Sequence, residues 1–269
     1  MKDKILLFIP MYNCEKQISR VLEKLKDVDS KIFDEILVID NISPDNSVNN
    51  AIKSLNNLKQ FNTTLIKNNQ NYNLGGSIKV AFNYAIENNY DYVLTLHGDD
   101  QGDIRDIIPY IDTRAYVEKD IVVGARFHKE SKLEGYSIIR TLGNHGVNFI
   151  CSIITGIKIH DMVAGLNIFK VDFIKDKFYL DFPNNLTFDA HLFLYALSKG
   201  KSVEYVPITW REEDQVSNAK VVKQGLTLLK LFFKYLFTKK SMFKNLNNNL
   251  SYQKYTSEIM FKNDKSSNL

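Results

Sequence analysis

Apolar and polar positions change period several times along this chain. Short apolar runs over Lys4 to Ile9, Glu35 to Asp40, Thr63 to Lys67, Asp91 to Leu96 and Asp120 to Gly124 predict five strands. Between them the period becomes helical. Glu15 to Leu25 carries Ile18, Val21, Leu22 and Leu25 on one face, and Gly75-Gly76 opens a helix with Ile78, Phe82, Ala85 and Ile86 on one face. Ser43-Pro44-Asp45 reads as a turn or helix start. Strands alternating with helices predict an α/β fold, a mostly parallel central sheet flanked by crossover helices. The second half is less regular. Ile138 to Ile154 predicts a helix that carries Arg140, Asn144, His145 and Asn148. Leu186 to Lys199 predicts another helix, and Ser202 to Val206 a strand. Gly225 to Phe237 is apolar but interrupted by Lys230 and Lys234, with Lys239-Lys240 behind it. From Asn245 the chain is polar, rich in Asn and Ser, and expected to be loosely ordered. No repeat or linker splits the chain. One domain is expected over residues 1–237, in halves 4–126 and 127–237, with a polar tail over 238–269.

Composition narrows the class. The 269 residues are 44% hydrophobic and 12% aromatic, enough for a sizeable core. The net charge of +4 is mild and not concentrated, which argues against a nucleic-acid partner. Cys14 and Cys151 lie far apart, so neither a metal-ligand spacing nor a disulfide framework is expected, and the compartment reads as reducing. The apolar run before Pro10 is too short for a signal peptide, and no stretch reaches the roughly 18 apolar residues of a membrane span. A cytoplasmic location is the expectation.

The candidate chemistry sits at strand ends. His97-Gly98-Asp99-Asp100-Gln101 directly follows the apolar run Tyr92 to Leu96. Hard divalent cations bind through one or two carboxylates plus substrate phosphates. Ligands of open α/β sheets also gather at the carboxyl ends of strands. A solvated acidic turn would look the same in sequence. Pro10-Met11-Tyr12-Asn13 ends the first strand, where Tyr12 either faces a nucleobase or packs in the core. Asp40 ends the second strand and can accept from the N–H groups of uracil or guanine. Asp45 reads as a helix cap. Gly75 and Gly76 permit a close backbone approach, to a ligand or to a packing neighbour. The Arg126 guanidinium suits phosphate oxygens.

These pieces occur in a fixed order: Ile9-Pro10-Met11-Tyr12-Asn13, Val38-Ile39-Asp40-Asn41-Ile42-Ser43-Pro44-Asp45, Asn73-Leu74-Gly75-Gly76, the Asp99 cluster and Gly124-Ala125-Arg126. The set resembles the nucleotide-sugar half of family 2 glycosyltransferases with a GT-A fold. Asp161-Met162-Val163-Ala164-Gly165-Leu166-Asn167-Ile168-Phe169, Phe188-Asp189-Ala190-His191-Leu192 and Trp210-Arg211 with Ser217-Asn218 resemble the acceptor half. They are similar to the branch holding dolichol-phosphate mannosyltransferase and its polyprenyl-phosphate relatives. The resemblance covers about residues 4–235.

The resemblance implies a metal-dependent, inverting glycosyltransferase with a nucleotide-diphosphate sugar as donor. Pro10, Tyr12, Asn13, Asp40, Asn41, Gly75 and Gly76 would lie by the nucleotide. Asn41 stands where the family shows a second acid. The family's Asp-x-Asp with a later Gln maps onto His97, Asp99 and Gln101, which makes Asp99 the leading implied ligand of Mg2+ or Mn2+, with Gln101 in support and His97 either a further ligand or a packed strand-end histidine. Asp100 either supplies the missing charge or is solvated. Arg126 would hold the donor diphosphate or the acceptor phosphate. Asp161 would serve as base for a hydroxyl acceptor or as a positioning group for a phosphate acceptor, with the capping of a turn as its structural alternative. His191 stands where relatives often carry a carboxylate, and is open between an acceptor contact and a helix-surface residue. Arg211, Ser217 and Lys220 would belong to a segment closing over the diphosphate. Trp210 is open between core anchor and acceptor contact. The expected acceptor is a polyprenyl phosphate, in surface glycan assembly, with a saccharide hydroxyl as the alternative. A nucleotide-sugar-binding partner without transfer is the alternative outside catalysis. The Gly225 to Phe237 segment, together with the Ile138 to Ile154 helix, can add peripheral association with the inner membrane face. A nucleotidyltransferase is disfavoured, because Pro10-Met11-Tyr12-Asn13 lacks the Gly-rich basic loop of that class.

Overall fold

The computed structural model describes residues 2–162, 164–212, 221–243 and 255–265. Its strands are β1 (Ile5–Met11), β2 (Glu35–Asp40), β3 (Thr63–Asn68), β4 (Tyr92–Leu96), β5 (Ile121–Ala125), β6 (Lys132–Glu134), β7 (Leu166–Lys170), β8 (Val203–Pro207), β9 (Thr209–Arg211) and β10 (Ser257–Asn263). The helices are α1 (Gln17–Glu23), α2 (Ser47–Leu55), α3 (Asn73–Glu87), α4 (Ile108–Asp112), α5 (Ile138–Thr155), α6 (Val171–Ile174), α7 (Phe188–Ser198) and α8 (Val221–Thr238). β2 has its expected bounds, and the other five expected strands differ by one or two residues at one or both ends.

Eight strands form one sheet in the order β10-β3-β2-β1-β4-β7-β5-β8. β1 is apolar at both parities, which suits the centre of a sheet covered on both faces. Ile5, Leu7 and Ile9 pack on one face with α1 and α2, through Ile18, Val21, Ala51 and Leu55. Leu6 and Phe8 pack on the other with α3 and α7, through Ile78, Phe82, Phe188 and Leu192. β3, β2, β1 and β4 run parallel. Both the α/β class and the mostly parallel sheet are therefore as the sequence predicts.

Two strands of this sheet, and both strands of the separate β6–β9 pair, were not expected. β7 runs antiparallel between β4 and β5. Because Leu96 faces Leu166 across that pair, the residues that precede β7 lie beside those that follow β4. β10 departs from the expected loose tail. It lies antiparallel on β3 at the sheet edge, with Ser257 opposite Asn68 and Asn263 opposite Thr63. Its ladder hydrogen bonds offset the ordering of a polar segment.

α5 and α8 pack together beside α7. Cys151 and Ile154 of α5, Leu228, Phe232 and Tyr235 of α8, and Phe193 and Leu194 of α7 share a third apolar cluster. The outer faces of α5 and α8 stay apolar too. Ile138, Ile139, Leu142, Phe149 and Ile153, and likewise Leu226, Phe233, Leu236 and Phe237, are exposed. No helix among the described residues is long and apolar enough to cross a membrane.

Candidate active site

The chain leaves β1 towards β2 on one side and returns through β4 on the other. The crevice between their carboxyl ends is a topological switch point, where open α/β sheets bind ligands. A cleft of about 690 Å³ opens there and continues between α5 and α8. Pro10, Tyr12, His97, Asp99, Gln101 and Arg126 all line it.

The floor of the cleft is the end of β4. The His97 amide donates to Gly165 O at 2.9 Å, and the Gly98 amide to Pro10 O at 3.1 Å. Neither glycine has room for a side chain. A Cβ at Gly165 would lie 2.5 Å from His97 Cγ, and one at Gly98 would lie 2.9 Å from Pro10 O. Asp99 Oδ1 accepts from the Gln101 amide at 3.2 Å. Burial pushes the Asp99 carboxyl up and the His97 imidazole down, and each charge partly opposes the shift of the other. The Gln101 Nε2 is buried without a hydrogen-bond partner among the described residues.

These three side chains can hold a cation. Together they offer a carboxylate, a neutral imidazole and an amide whose oxygen and nitrogen can exchange places. A cation would relieve both the desolvated carboxylate and the idle amide. No group of three His, Cys, Asp or Glu suited to a metal occurs among the described residues, so substrate phosphates would have to complete the shell. Asp100 does not add the missing charge. With φ at 62°, it turns its carboxylate to Arg20 and Lys24, each at 2.6 Å.

Asn41, rather than Asp40, faces the cleft. Asp40 is fully buried and accepts from the Ser43 amide at 3.2 Å. The strand period of two explains the difference, because Asn41 continues the α3-side face of Leu37 and Ile39. Asn41 Oδ1 accepts from the Tyr72 amide at 2.8 Å and from Asn68 Nδ2 at 3.0 Å, and its Nδ2 donates to Asn71 Oδ1 at 2.8 Å. Asn13 is exposed at φ 52° and gives its amide to Ser43 Oγ at 3.1 Å. Asp45 caps the start of α2, taking the Ser47 amide at 3.1 Å.

Gly75 and Gly76 serve packing. A Cβ on Gly75 would lie 2.7 Å from Phe188 Cβ, and one on Gly76 would lie 2.4 Å from Tyr72 Cβ. The α3 residues that line the cleft are Leu74 and Ser77.

Just beyond β5, Arg126 and Asp161 form a buried bidentate pair. Nε lies 2.7 Å from Oδ2, and Nη2 lies 2.8 Å from Oδ1. The amides of Arg126, at 3.0 Å, and Met162, at 2.8 Å, also donate to this carboxylate. Burial alone would raise the Asp161 carboxyl, but the guanidinium outweighs it and the net shift is downward. Four donors and a lowered pKa make Asp161 an anchor for Arg126 and a poor proton acceptor. Trp210 is buried, with its ring 5.1 Å from the guanidinium carbon, so it is at once a core anchor and a wall of the cleft.

Arg211 does not reach the cleft. It pairs with Glu134 at 2.8 Å and with Asp103 at 3.2 Å. His191 turns its ring to Thr187 O at 2.8 Å and packs near Phe182. Ser217 and Lys220 lie outside the described residues.

Three cleft residues were noted in the sequence but given no role there. Arg140 of α5 lines the cleft with its guanidinium carbon 4.6 Å from the Tyr136 ring centroid, and it pairs with Glu212. Asn144 lies one turn further along and donates to Tyr136 Oη at 3.1 Å. Asp189 opens α7 in the apolar part of the cleft, where burial pushes its carboxyl up to about 7. Their signal was polarity on otherwise apolar helices.

Comparison with known proteins agrees with the fold. The sequence matches the model of Glycosyl transferase family 2 over residues 7–178. It is 29% identical over 187 residues to the UDP-N-acetylglucosamine–dolichyl-phosphate N-acetylglucosaminyltransferase of Methanococcus voltae, covering 65% of this chain and 73% of that one. It is 25% identical over 229 residues to the dolichyl-phosphate β-glucosyltransferase of Saccharomyces cerevisiae, covering 77% and 66% respectively. The fold is similar to that of glucosyl-3-phosphoglycerate synthase from Mycobacterium tuberculosis, crystallised with Mn2+, UDP-glucose and phosphoglyceric acid. The TM-score is 0.62 at 13% identity, over 86% of this chain and 79% of that one. With the match covering well over half of its length, the chain belongs to glycosyl transferase family 2.

Proposed function

We propose that this glycosyltransferase moves a sugar from a nucleoside-diphosphate sugar to a polyprenyl phosphate at the cytoplasmic face of a membrane. The observation that carries the proposal is the shape and chemistry of the cleft. It runs from the Asp99 end of β4, past Arg126 and Arg140, into an apolar groove between two helices whose outer faces are also apolar. The names of the two relatives above, both of which act on dolichyl phosphate, support the acceptor class.

In this reading the nucleotide lies along Pro10, Tyr12 and Asn41. His97, Asp99 and Gln101 would hold Mn2+ or Mg2+, which supplies positive charge to the departing diphosphate. The mixed donor set suits manganese better than magnesium. Arg126 and Arg140 hold phosphate oxygens through planar, charge-assisted hydrogen bonds. The acceptor phosphate attacks the anomeric carbon from the face opposite the nucleoside diphosphate. The new C–O bond forms as the old one breaks, and the anomeric configuration inverts. A phosphate acceptor is already an anion and needs no base, which agrees with an Asp161 saturated by donors. A saccharide hydroxyl would need a base, and the Asp189 carboxyl at about 7 is the group that favours this second reading.

Calorimetry with UDP and GDP, with and without Mn2+, tests the donor site on wild type and Asp99→Ala. Metal-dependent binding of one nucleotide, lost in the variant, is expected. No binding of either nucleotide under any condition refutes the transferase reading. Transfer assays against a polyprenyl phosphate and a free saccharide then separate the two acceptors.

A further inference from the structure

Residues 255–265 do more than cover a sheet edge. Thr256 is bonded to the turn that holds Asn41. The Asn69 amide donates to Thr256 O at 3.0 Å, and Asn69 Nδ2 to Thr256 Oγ1 at 2.8 Å. The Thr256 amide donates to Tyr72 Oη at 3.0 Å, and that hydroxyl donates back to Thr256 O at 3.2 Å. Tyr72 is the residue whose own amide fixes Asn41 Oδ1.

Tyr255 holds the other side of the same turn. Its ring meets Tyr72 edge-on at 5.1 Å. Its hydroxyl donates to Asn184 Oδ1 at 2.7 Å and accepts from Lys79 Nζ at 3.1 Å. Lys79 is buried within α3 and also donates to Leu180 O at 3.0 Å and to Phe182 O. Asn184 O receives the Gly75 amide at 2.8 Å. Tyr255 and Thr256 thus grip both the 69–72 turn and the first turn of α3, the two segments that bring Asn41, Leu74 and Ser77 to the cleft. β10 then anchors the grip along six residue pairs of β3, and the Lys265 amide closes it on Asn62 Oδ1 at 2.9 Å.

We infer that Tyr255 and Thr256 are positioning residues for the donor nucleotide: the late strand completes the nucleotide wall of the cleft by fixing Asn41 and the start of α3. This rests on the reading of that wall as the donor site. Neither residue touches the reaction centre at His97 to Gln101, so the effect belongs in donor affinity and not in turnover.

Binding of UDP and GDP with Mn2+ is measured by calorimetry on the full chain. The variants are Tyr255→Phe, Tyr255→Ala and Thr256→Val, with Lys262→Ala as a control on the exposed part of β10. Each lost hydrogen bond should weaken nucleotide binding by about three- to tenfold, and Tyr255→Ala by more than Tyr255→Phe. Lys262→Ala should bind as wild type. In transfer assays the donor KM should rise while kcat holds. If Tyr255→Ala does not fold, the Phe and Val variants decide, since they keep ring and shape. Wild-type affinity in Tyr255→Phe and Thr256→Val would overturn the inference alone. Failure of wild type to bind either nucleotide would overturn the donor-site reading and the inference with it.

Discussion

Replacing Asp161 by asparagine should damage stability more than a catalytic role predicts. The carboxylate accepts two guanidinium bonds, at 2.7 and 2.8 Å, and two amide bonds, at 3.0 and 2.8 Å, and both partners of the ion pair are buried. Removing one partner of such a pair strands the other charge, at a cost of about 3–5 kcal/mol. For a domain of this size that corresponds to a fall in melting temperature of roughly 6–20 °C. Asparagine can still accept from Arg126 and should fall at the low end, with alanine at the high end. The double variant Arg126→Met/Asp161→Leu leaves no stranded charge and should recover part of the loss. The pH dependence has a definite sign. The folded carboxyl sits below its unfolded value of about 3.9, so its contribution is complete above that pH and disappears as acid titrates the folded form. Wild type should therefore lose stability below about pH 4 more steeply than the variant. Thermal and urea unfolding, run beside a transfer assay, provide the check. A variant that melts like wild type yet loses transfer by about a hundredfold or more would refute the reasoning and restore Asp161 as a base.

Gly165→Ala places a Cβ 2.5 Å from His97 Cγ and should shift that ring, lowering transfer by about a hundredfold and weakening Mn2+-dependent nucleotide binding, as steady-state kinetics and calorimetry would show. Asp189, at about 7 in the folded chain, holds a proton that the unfolded chain releases near pH 4. Stability should therefore decline as pH rises from about 4 to 7, and Asp189→Asn should flatten that slope and melt higher at pH 8. Phe149→Glu/Phe237→Glu alters two exposed rings, 66% and 83% accessible, so co-sedimentation with anionic vesicles should fall about tenfold or more while the melting temperature holds.

The first half of the fold was legible because its signals are local. A run such as Glu35 to Asp40, apolar at both parities from Ile36 to Ile39, defines a buried strand without help from distant residues. The strand ends that carry Pro10, Tyr12 and His97 to Gln101 followed directly. Which side chain faces the cleft was only partly legible. The strand period does place Asn41 with Leu37 and Ile39, but the family pattern drew Asp40 into the nucleotide site. What stayed hidden was pairing across the sequence. Arg126 meets an acid 35 residues away, Arg211 is occupied by Asp103 and Glu134, and Asp100 is occupied by α1. Each of these partners is fixed by topology, which a single sequence does not print. β10 was hidden for the same reason: its Ser-Glu-Ile-Met-Phe-Lys-Asn run has no clean alternation and acquires its meaning from β3.

That pairing also sets a schedule for the protein's birth. Thr63 leaves the ribosome 200 residues ahead of its partner Asn263. At translation speeds of about 5–20 residues per second, the gap is roughly 10–40 s. Through that interval the β3 edge is a row of unpaired backbone groups, open to strands of neighbouring nascent chains. Only the arrival of the last strand seals it. The yield of folded protein should therefore respond to chaperone supply and expression rate more sharply than its equilibrium stability suggests.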